Sequence, residues 1–375
     1  MPVHKAYKFR IYPNKEQEIL IAKTMGCARF VFNHFLAKWR EAYKEKGKGL
    51  TYHSCSNQLP SLKREYDWLK EVDSIAIQSS VRNLADSFAR FFKKQNKAPQ
   101  FKSKNNPVQS YTTKFTNGNI ALFDQHIKLP KLGLIKFAKS REVGGRVLSA
   151  TVRRNPSGKY FVSILAEVEI EPMEKTEKAI GIDLGITDFA ILSDGRKLDN
   201  NKFTSKMEKK LKREQRKLAR RARRAIENGV DLLEAKNYQK QKVKVARLHE
   251  KVMSQRDDFL NKLSTDLIKS HDVICMEDLN IKGMLRNKKL AKSIADVSWS
   301  AFVAKLEYKA KWYHKTLVKI SRWYPSSQLC SNCGHRDGRK SLEIREWKCP
   351  ACHDHHDRDI SASKTILAES LRTLT

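Results

Sequence analysis

Apolar and polar residues alternate over residues 5–12, with Tyr7, Phe9 and Ile11 on one side and Lys8 and Arg10 on the other. A period of two predicts a half-buried strand. Pro13-Asn14 ends that strand and caps a helix, because helical spacing runs from about Lys15 to Lys46, with Leu20, Phe32, Phe35 and Trp39 among its apolar positions. A second helix is expected at 56–70. Asp73-Ser74 caps a third, whose stripe is Ile75, Ile77, Val81, Leu84, Phe88 and Phe91. Such aromatics can stack on bases, but stripes at helical spacing are more simply the core of a helix bundle. Pro99-Gln100-Phe101-Lys102-Ser103-Lys104 marks a loop leaving the helices, and short strands follow to about residue 170. Val147–Arg154 and Tyr160–Glu169 flank Asn155-Pro156-Ser157-Gly158, a hairpin signal. The strand at 5–12 is expected to return to this β region, which makes the helices of 15–95 an insertion in a small β-barrel.

From Lys178 the pattern changes. A strand at 179–184, a turn at Asp188 and a strand at 189–193 read as a hairpin. A very basic helix at 206–227 ends at Asn228-Gly229. A long helix over 231–270, a strand at 272–276, a lysine-bearing loop at 279–297, a helix at 299–314, a strand at 316–323 and a last helix at 360–372 complete the series. Strands and helices mixed in this order predict an α/β layered domain.

The chain has 375 residues and is 40 % hydrophobic, enough for two or three domains with real cores. Its net charge of +34 runs through several segments instead of one tail. A solvated basic surface is one explanation. A polyanion that neutralises the charge is the sharper one, and nucleic acid fits it best. No apolar run approaches the roughly 20 residues of a transmembrane helix, and the N-terminus lacks the apolar segment of a signal peptide. A cytoplasmic protein with no membrane partner is expected. Cys27, Cys55 and Cys275 stand alone in apolar or helical contexts, as buried small hydrophobes do in a reducing compartment.

The other four cysteines form Cys330-x2-Cys333 and, fifteen residues on, Cys349-x2-Cys352. Two such knuckles predict one tetrahedral zinc with no open position, hence a structural ion. His335, His353, His355 and His356 are alternative ligands, although pairing of the knuckles favours the thiols. Acids supply the second chemistry. Asp183 sits in Ala-Ile-Gly-Ile-Asp-Leu-Gly, with Ala179, Gly181 and Gly185 on its own face, small enough for a metal and a nucleic-acid backbone to come close. Glu277 and Asp278 follow a buried-type strand, and alternation lets only one of them face a metal. Asp357 and Asp359 precede the last helix, where one of them can serve only as N-cap. Phosphodiester hydrolysis by two Mg²⁺ ions needs little more than carboxylates that hold them.

These residues also carry a resemblance. Gly181-Ile182-Asp183-Leu184-Gly185, Met276-Glu277-Asp278-Leu279-Asn280, Ser326-Ser327-Gln328-x-Cys330-Ser331-x-Cys333-Gly334, Cys349-x2-Cys352 and His356-Asp357-Arg358-Asp359 resemble the TnpB (OrfB) family of insertion-sequence-encoded RNA-guided DNA endonucleases, related to type V CRISPR effectors. The N-terminal Tyr-Lys-Phe-Arg-Ile-Tyr-Pro and Pro99-x-Phe101-Lys102-Ser103 are similar too, so the likeness covers essentially the whole chain. It implies a mixed α/β and β multidomain fold. A β-barrel wedge domain (1–14 and 100–175) would carry a helical recognition insertion (15–99). An RNase H-like (RuvC) nuclease domain (176–324 and 353–375) would be interrupted by a zinc ribbon (325–352). It implies Asp183, Glu277 and Asp359 as catalytic Mg²⁺ ligands, choosing Glu277 over Asp278 and Asp359 over Asp357. It also implies Cys330, Cys333, Cys349 and Cys352 as ligands of one structural Zn²⁺. Ser361 and Ser363 depart from the family's Asn and Ala. The expected partners are a guide RNA from the element and double-stranded target DNA, cut beside a short motif by a monomer in its RNA complex. Lys102, Lys209, Lys212, Arg213, Arg216, Arg220, Arg223 and Arg224 are the expected nucleic-acid contacts. A regulator that has lost cleavage would lack the acids. A cut-and-paste transposase would bind transposon ends without a guide.

Overall fold

The computed structural model describes residues 2–341 and 343–374. Met1, Leu342 and Thr375 fall outside it, and with them the outermost positions of two expected domains and one residue of the expected ribbon. The chain divides into two compact units, Met1–Glu169 and Ile170–Thr375.

In the first unit, β1 (Pro2–Tyr12) runs into α1 (Lys15–Lys46). Asn14 and Gln17 form a reciprocal capping box, with Gln17 N–H donating to Asn14 Oδ1 at 2.8 Å and Asn14 N–H donating to Gln17 Oε1 at 3.0 Å. The expected helix at 56–70 is instead α2 (Tyr52–Ser56), α3 (Leu59–Glu65) and a single 3₁₀ turn. Pro60 explains the break: it has no N–H to give and occupies the first turn of α3. Helix α4 (Ser74–Phe92) starts at Asp73, whose carboxylate accepts from Ile75 N–H. Trp39 of α1 stacks on Phe88 of α4 with centroids 4.5 Å apart, and Ile77, Val81 and Leu84 are buried, so these four stripe positions are core, whereas Phe91 is exposed.

Strands β2 (Gln109–Lys114), β3 (Ala121–Leu122), β4 (His126–Leu129), β5 (Gly133–Ala138), β6 (Arg146–Arg154) and β7 (Tyr160–Glu169) join β1 in one sheet of order β2-β6-β7-β1-β5-β4-β3. β1 does pair back to this region, antiparallel to β7 along its length and to β5 at its end. Where a closed barrel was expected, no pairing joins β2 to β3 among the described residues. The sheet nevertheless curls, since Tyr111 near one edge and Leu129 near the other share one core with Phe9, Ile11 and Phe137. Ile21, Met25 and Ala28 of α1 and Ala76 of α4 enter that same core, so the helices rest on the sheet.

The second unit is built on a five-stranded sheet of order β10-β9-β8-β11-β12. The hairpin β8 (Ala179–Leu184) and β9 (Asp188–Leu192) continues antiparallel into β10 (Lys197–Asp199), while β11 (Val273–Glu277) and β12 (Thr316–Ile320) lie parallel to β8. The helical hairpin α5 (Phe203–Glu227) and α6 (Lys236–Ser270) separates β10 from β11. α6 begins five residues later than the expected 231, because Asp231 folds its carboxylate onto Leu233 N–H at 2.7 Å and makes a turn. The expected loop at 279–297 contains two short helices, α7 (Ile281–Met284) and α8 (Ala291–Val297). α9 (Trp299–Tyr313) then leads to β12. Past the cysteines, β13 (Glu346–Lys348) pairs with β14 (His355–Asp357), which runs without a break into α10 (Arg358–Arg372).

The sheet is covered on both faces. Ile180, Ile182, Ile274 and Met276 pack with Leu260 and Leu267 of α6 and Phe302 and Leu306 of α9. Cys275 and Ile320 pack with Ile366 of α10 on the other side. Asp183 and Glu277, in phase with Gly181 and Cys275, point to the α10 side.

Candidate active site and four-cysteine cluster

In this sheet β8 has β9 on one flank and β11 on the other. The strand order therefore reverses between β8 and β11, and ligands bind outside the carboxyl ends of strands at such a switch point. Ile182 pairs with Met276 across these strands, so Asp183 and Glu277 emerge side by side one residue further on. The first turn of α10 brings Asp359 to the same place. Burial, then the charges of Glu277 and Asp359, push the Asp183 carboxyl up to about 7 from its ordinary 3.8. Burial also raises Glu277, opposed by Ser326, whose hydroxyl donates to Glu277 Oε1 at 2.6 Å. Arg345 approaches Asp359 Oδ2 at 3.1 Å. Three half-buried carboxylates gathered in this way repel one another, and a hard divalent cation relieves that repulsion.

The neighbouring acids have other work. Asp278 is half exposed and paired with Arg322 at 2.6 Å. Asp357 is the N-cap of α10, accepting from Asp359 N–H and Ile360 N–H, both at 3.0 Å. Burial would raise Asp357, but the Lys197 ammonium and those two amides outweigh it and hold the carboxyl below its usual range.

The small face of β8 has a different use from the one expected. A Cβ on Gly181 would lie 2.1 Å from the Ser363 carbonyl and 2.9 Å from Leu367 Cβ. The space beside Gly181 is therefore filled by α10, and the close approach it permits is by that helix, not by a nucleic-acid backbone.

Cys330, Cys333, Cys349 and Cys352 place their sulfurs within 4.8 Å of one another. Cys330 and Cys352 are 3.6 Å apart and Cys333 and Cys349 3.7 Å. A tetrahedron with Zn–S bonds of about 2.3 Å has an edge of about 3.8 Å, so the donor set fits a four-thiolate zinc site. The knuckles match: Gly334 N–H donates to Cys330 O and His353 N–H to Cys349 O, each at 2.9 Å, with Gly334 and His353 both at positive φ. None of the four histidines joins the cluster; His356 Nε2 instead lies 3.0 Å from Cys330 Sγ. Cys27, Cys55 and Cys275 are buried.

Helix α5 exposes Lys209, Lys212, Arg213, Arg216, Arg220, Arg223 and Arg224. Its acids are engaged: Glu208 with Lys212 and Lys292 at 2.6 Å, Glu214 with Arg213 and Lys217 at 3.3 Å, Glu227 with Arg223 at 3.5 Å. Among the described residues, Lys209, Lys210, Arg216, Arg220 and Arg224 have no acidic partner. Buried Asp296 holds the start of this helix, accepting from Thr204 N–H at 3.1 Å and pairing with Arg256 at 2.6 Å. Lys102 belongs to the first unit. Its backbone is gripped by Asn33 on both sides and its ammonium sits 3.9 Å over the Phe32 ring, an internal contact.

Reading residues one by one misses Ser326, Arg345, Lys197 and Arg322 as partners of the acids. Ser326 lies within the Ser-Ser-Gln-x-Cys motif; the three cations carry no local signal.

Three family profiles match the chain: "Probable transposase" (OrfB of IS605) over residues 163–288, "Helix-turn-helix domain" over 1–48 and "Cas12f1-like, TNB domain" over 299–366. A Streptomyces pristinaespiralis protein named "Putative RNA-guided DNA endonuclease" is 37 % identical, the match covering 98 % of this chain and 90 % of that protein. The chain belongs to the TnpB (OrfB) family. Another relative of this TnpB-family chain is the Escherichia coli K12 "Putative RNA-guided DNA endonuclease InsQ", 30 % identical over 97 % of this chain and 92 % of the relative. A Cas12f1 chain solved with sgRNA and target DNA has the same fold at TM-score 0.54 and 13 % identity, covering 97 % of this chain and 98 % of that one. The mixed α/β multidomain architecture is thus shared with that chain. The profile over 1–48 carries a name that does not describe this TnpB-family segment, which is one strand and one unbroken helix. No helix among the described residues is long and apolar enough to cross a membrane.

Proposed function

We propose that the protein is an RNA-guided, Mg²⁺-dependent endonuclease that cuts double-stranded DNA beside a short motif, with Asp183, Glu277 and Asp359 as its one catalytic centre. The observation that carries this reading is the meeting of three acids from three separate segments at the switch point of the second unit's sheet. The unit is read as an RNase H-like (RuvC) domain, 176–324 and 353–375, interrupted by a zinc ribbon at 325–352. The first unit is read as the wedge domain, 1–14 and 100–175, with the helical recognition insertion 15–99. Endonuclease activity on DNA and dependence on RNA are supported by the relatives' names.

The carboxylates would hold the metal ions, and the ions would supply an activated water and stabilise charge on the phosphate. The chain's own residues do the positioning. Ser326 fixes one oxygen of Glu277, the Asp357 cap fixes the backbone of Asp359, and β8 fixes Asp183 beside Glu277. The four thiolates would hold one structural zinc. The unpaired cations of α5 face phosphates of RNA or DNA, while specificity is left to base pairing with the guide.

Asp183→Ala, Glu277→Ala and Asp359→Ala are each expected to abolish cleavage, a loss of at least about 10³-fold, and to leave RNA and DNA binding intact. Asp278→Ala should cleave nearly as wild type. Cleavage lost in Asp278→Ala but kept in Glu277→Ala would refute the assignment.

A further inference from the structure

We propose that His356 is a positioning residue that couples the four-cysteine cluster to the two outer acids, so that zinc occupancy sets the geometry of Glu277 and Asp359. The proposal rests on the reading of those acids as the catalytic set.

His356 is 6 % exposed, central in β14, and its ring lies 5.0 Å from that of Trp347, its partner across the β13–β14 hairpin. Its Nε2 meets Cys330 Sγ at 3.0 Å, while Asp354 Oδ2, at 3.8 Å, is beyond hydrogen-bond reach. A thiolate that ligates zinc has no proton to give, so the imidazole N–H donates and the sulfur accepts. The contact joins two stretches of chain, and each stretch holds one acid.

On the Cys330 side, Ser326 lies four residues back. It is buried, donates to Glu277, and accepts at its carbonyl from Thr365 Oγ1 of α10 at 3.0 Å. On the His356 side the next residue is Asp357, whose carboxylate caps α10 and orders the Asp359 amide. Arg358 N–H donates to Arg345 O at 2.8 Å, and Arg345 reaches Asp359. The two chain segments that meet at Cys330 and His356 are therefore those that brace Glu277 and Asp359. A cross-link at that point fixes their separation. Beside it, the stretch from Ser326 to Cys330 is tied to α10 by Thr365 Oγ1 donating to Ser326 O at 3.0 Å and Ser361 Oγ to Leu329 O at 3.5 Å, and the metal would supply the remaining link.

The test uses full-length, zinc-loaded protein with His356→Ala and His356→Gln, because the Gln amide also offers an N–H near that position. Zinc release to a chromogenic chelator is expected to be about 10–100-fold faster in the Ala variant and closer to wild type in the Gln variant. Exchange of the Asp359 and Ile360 amides should quicken in parallel, while amides in the middle of α6 and RNA binding stay unchanged. The Mg²⁺ concentration for half-maximal cleavage should rise several-fold in Ala and recover in Gln. Wild-type release and exchange in a folded Ala variant would overturn the proposal. So would faster zinc release with unchanged amide exchange and Mg²⁺ dependence, since His356 would then serve the cluster only. If the Ala variant fails to fold, the same two amides are followed in wild-type protein as zinc is withdrawn, and unaltered exchange there also overturns it. Unimpaired cleavage by Asp359→Ala would instead sink the underlying reading of the acids, leaving the zinc-release results standing.

Discussion

Asp183 shows how a single residue's environment becomes measurable. Between about pH 4 and 7 the folded protein holds a proton on this carboxyl that the unfolded chain has released, because burial and two neighbouring acids raise it to about 7. Stability rises with pH only where the unfolded state binds more protons, so here it falls as pH increases through that window. In Mg²⁺-free, zinc-loaded protein, Asp183→Asn should therefore raise the melting temperature at pH 8, by a stabilisation on the order of 4 kcal/mol, about three pKa units at about 1.4 kcal/mol each. The gain should vanish near pH 4, and saturating Mg²⁺ should favour the wild type. An equal difference at both pH values would show that charge at Asp183 is not the cause. The two departures from the family's pattern, Ser361 and Ser363, lie on the buried side of α10, and the Ser363 hydroxyl is satisfied within the helix by Ile360 O at 2.8 Å. Alternation puts Glu277 and Asp278 on opposite faces without saying which faces a metal, and their different partners, Ser326 for Glu277 and Arg322 for Asp278, lie 49 and 44 residues away in sequence.

At the scale of elements, long amphipathic segments and the hairpin at Asn155–Gly158 were legible because each satisfies its own period or turn chemistry. The misread elements are those governed by one residue or by a distant partner. Pro60 splits a helix, Asp231 delays another, and α7 and α8 are too short to show a period. The alternation of β8 is plain in the sequence, yet the purpose of its small face is not, because Gly181 answers to α10 some 180 residues later in the chain. Helix α5 was legible as basic, and its structure sharpens the expectation. Neutralising Arg216, Arg220, Arg223 and Arg224 to Gln should weaken RNA or DNA binding and flatten the plot of log K against log salt by roughly 0.7–0.9 for each phosphate no longer neutralised. The cleavage rate at saturating complex should hardly change. An unaltered slope would mean that this helix faces solvent.

For the molecule as a whole, a charge of +34 on 375 residues, a fold shared with the Cas12f1 chain and a gathered set of acids are the observations on which the proposed nuclease reading is built. The central claim is that an RNA chooses where it cuts. The protein, purified from cells carrying its native locus, should bring down one RNA species; with that RNA's guide segment replaced, it should cleave linear duplex DNA matching the new segment, beside the required motif, only when Mg²⁺ is present. Cleavage that follows the new guide is the expected result. Cleavage of the original site whatever the guide, or without RNA, would contradict the account and leave a nuclease that reads DNA by itself.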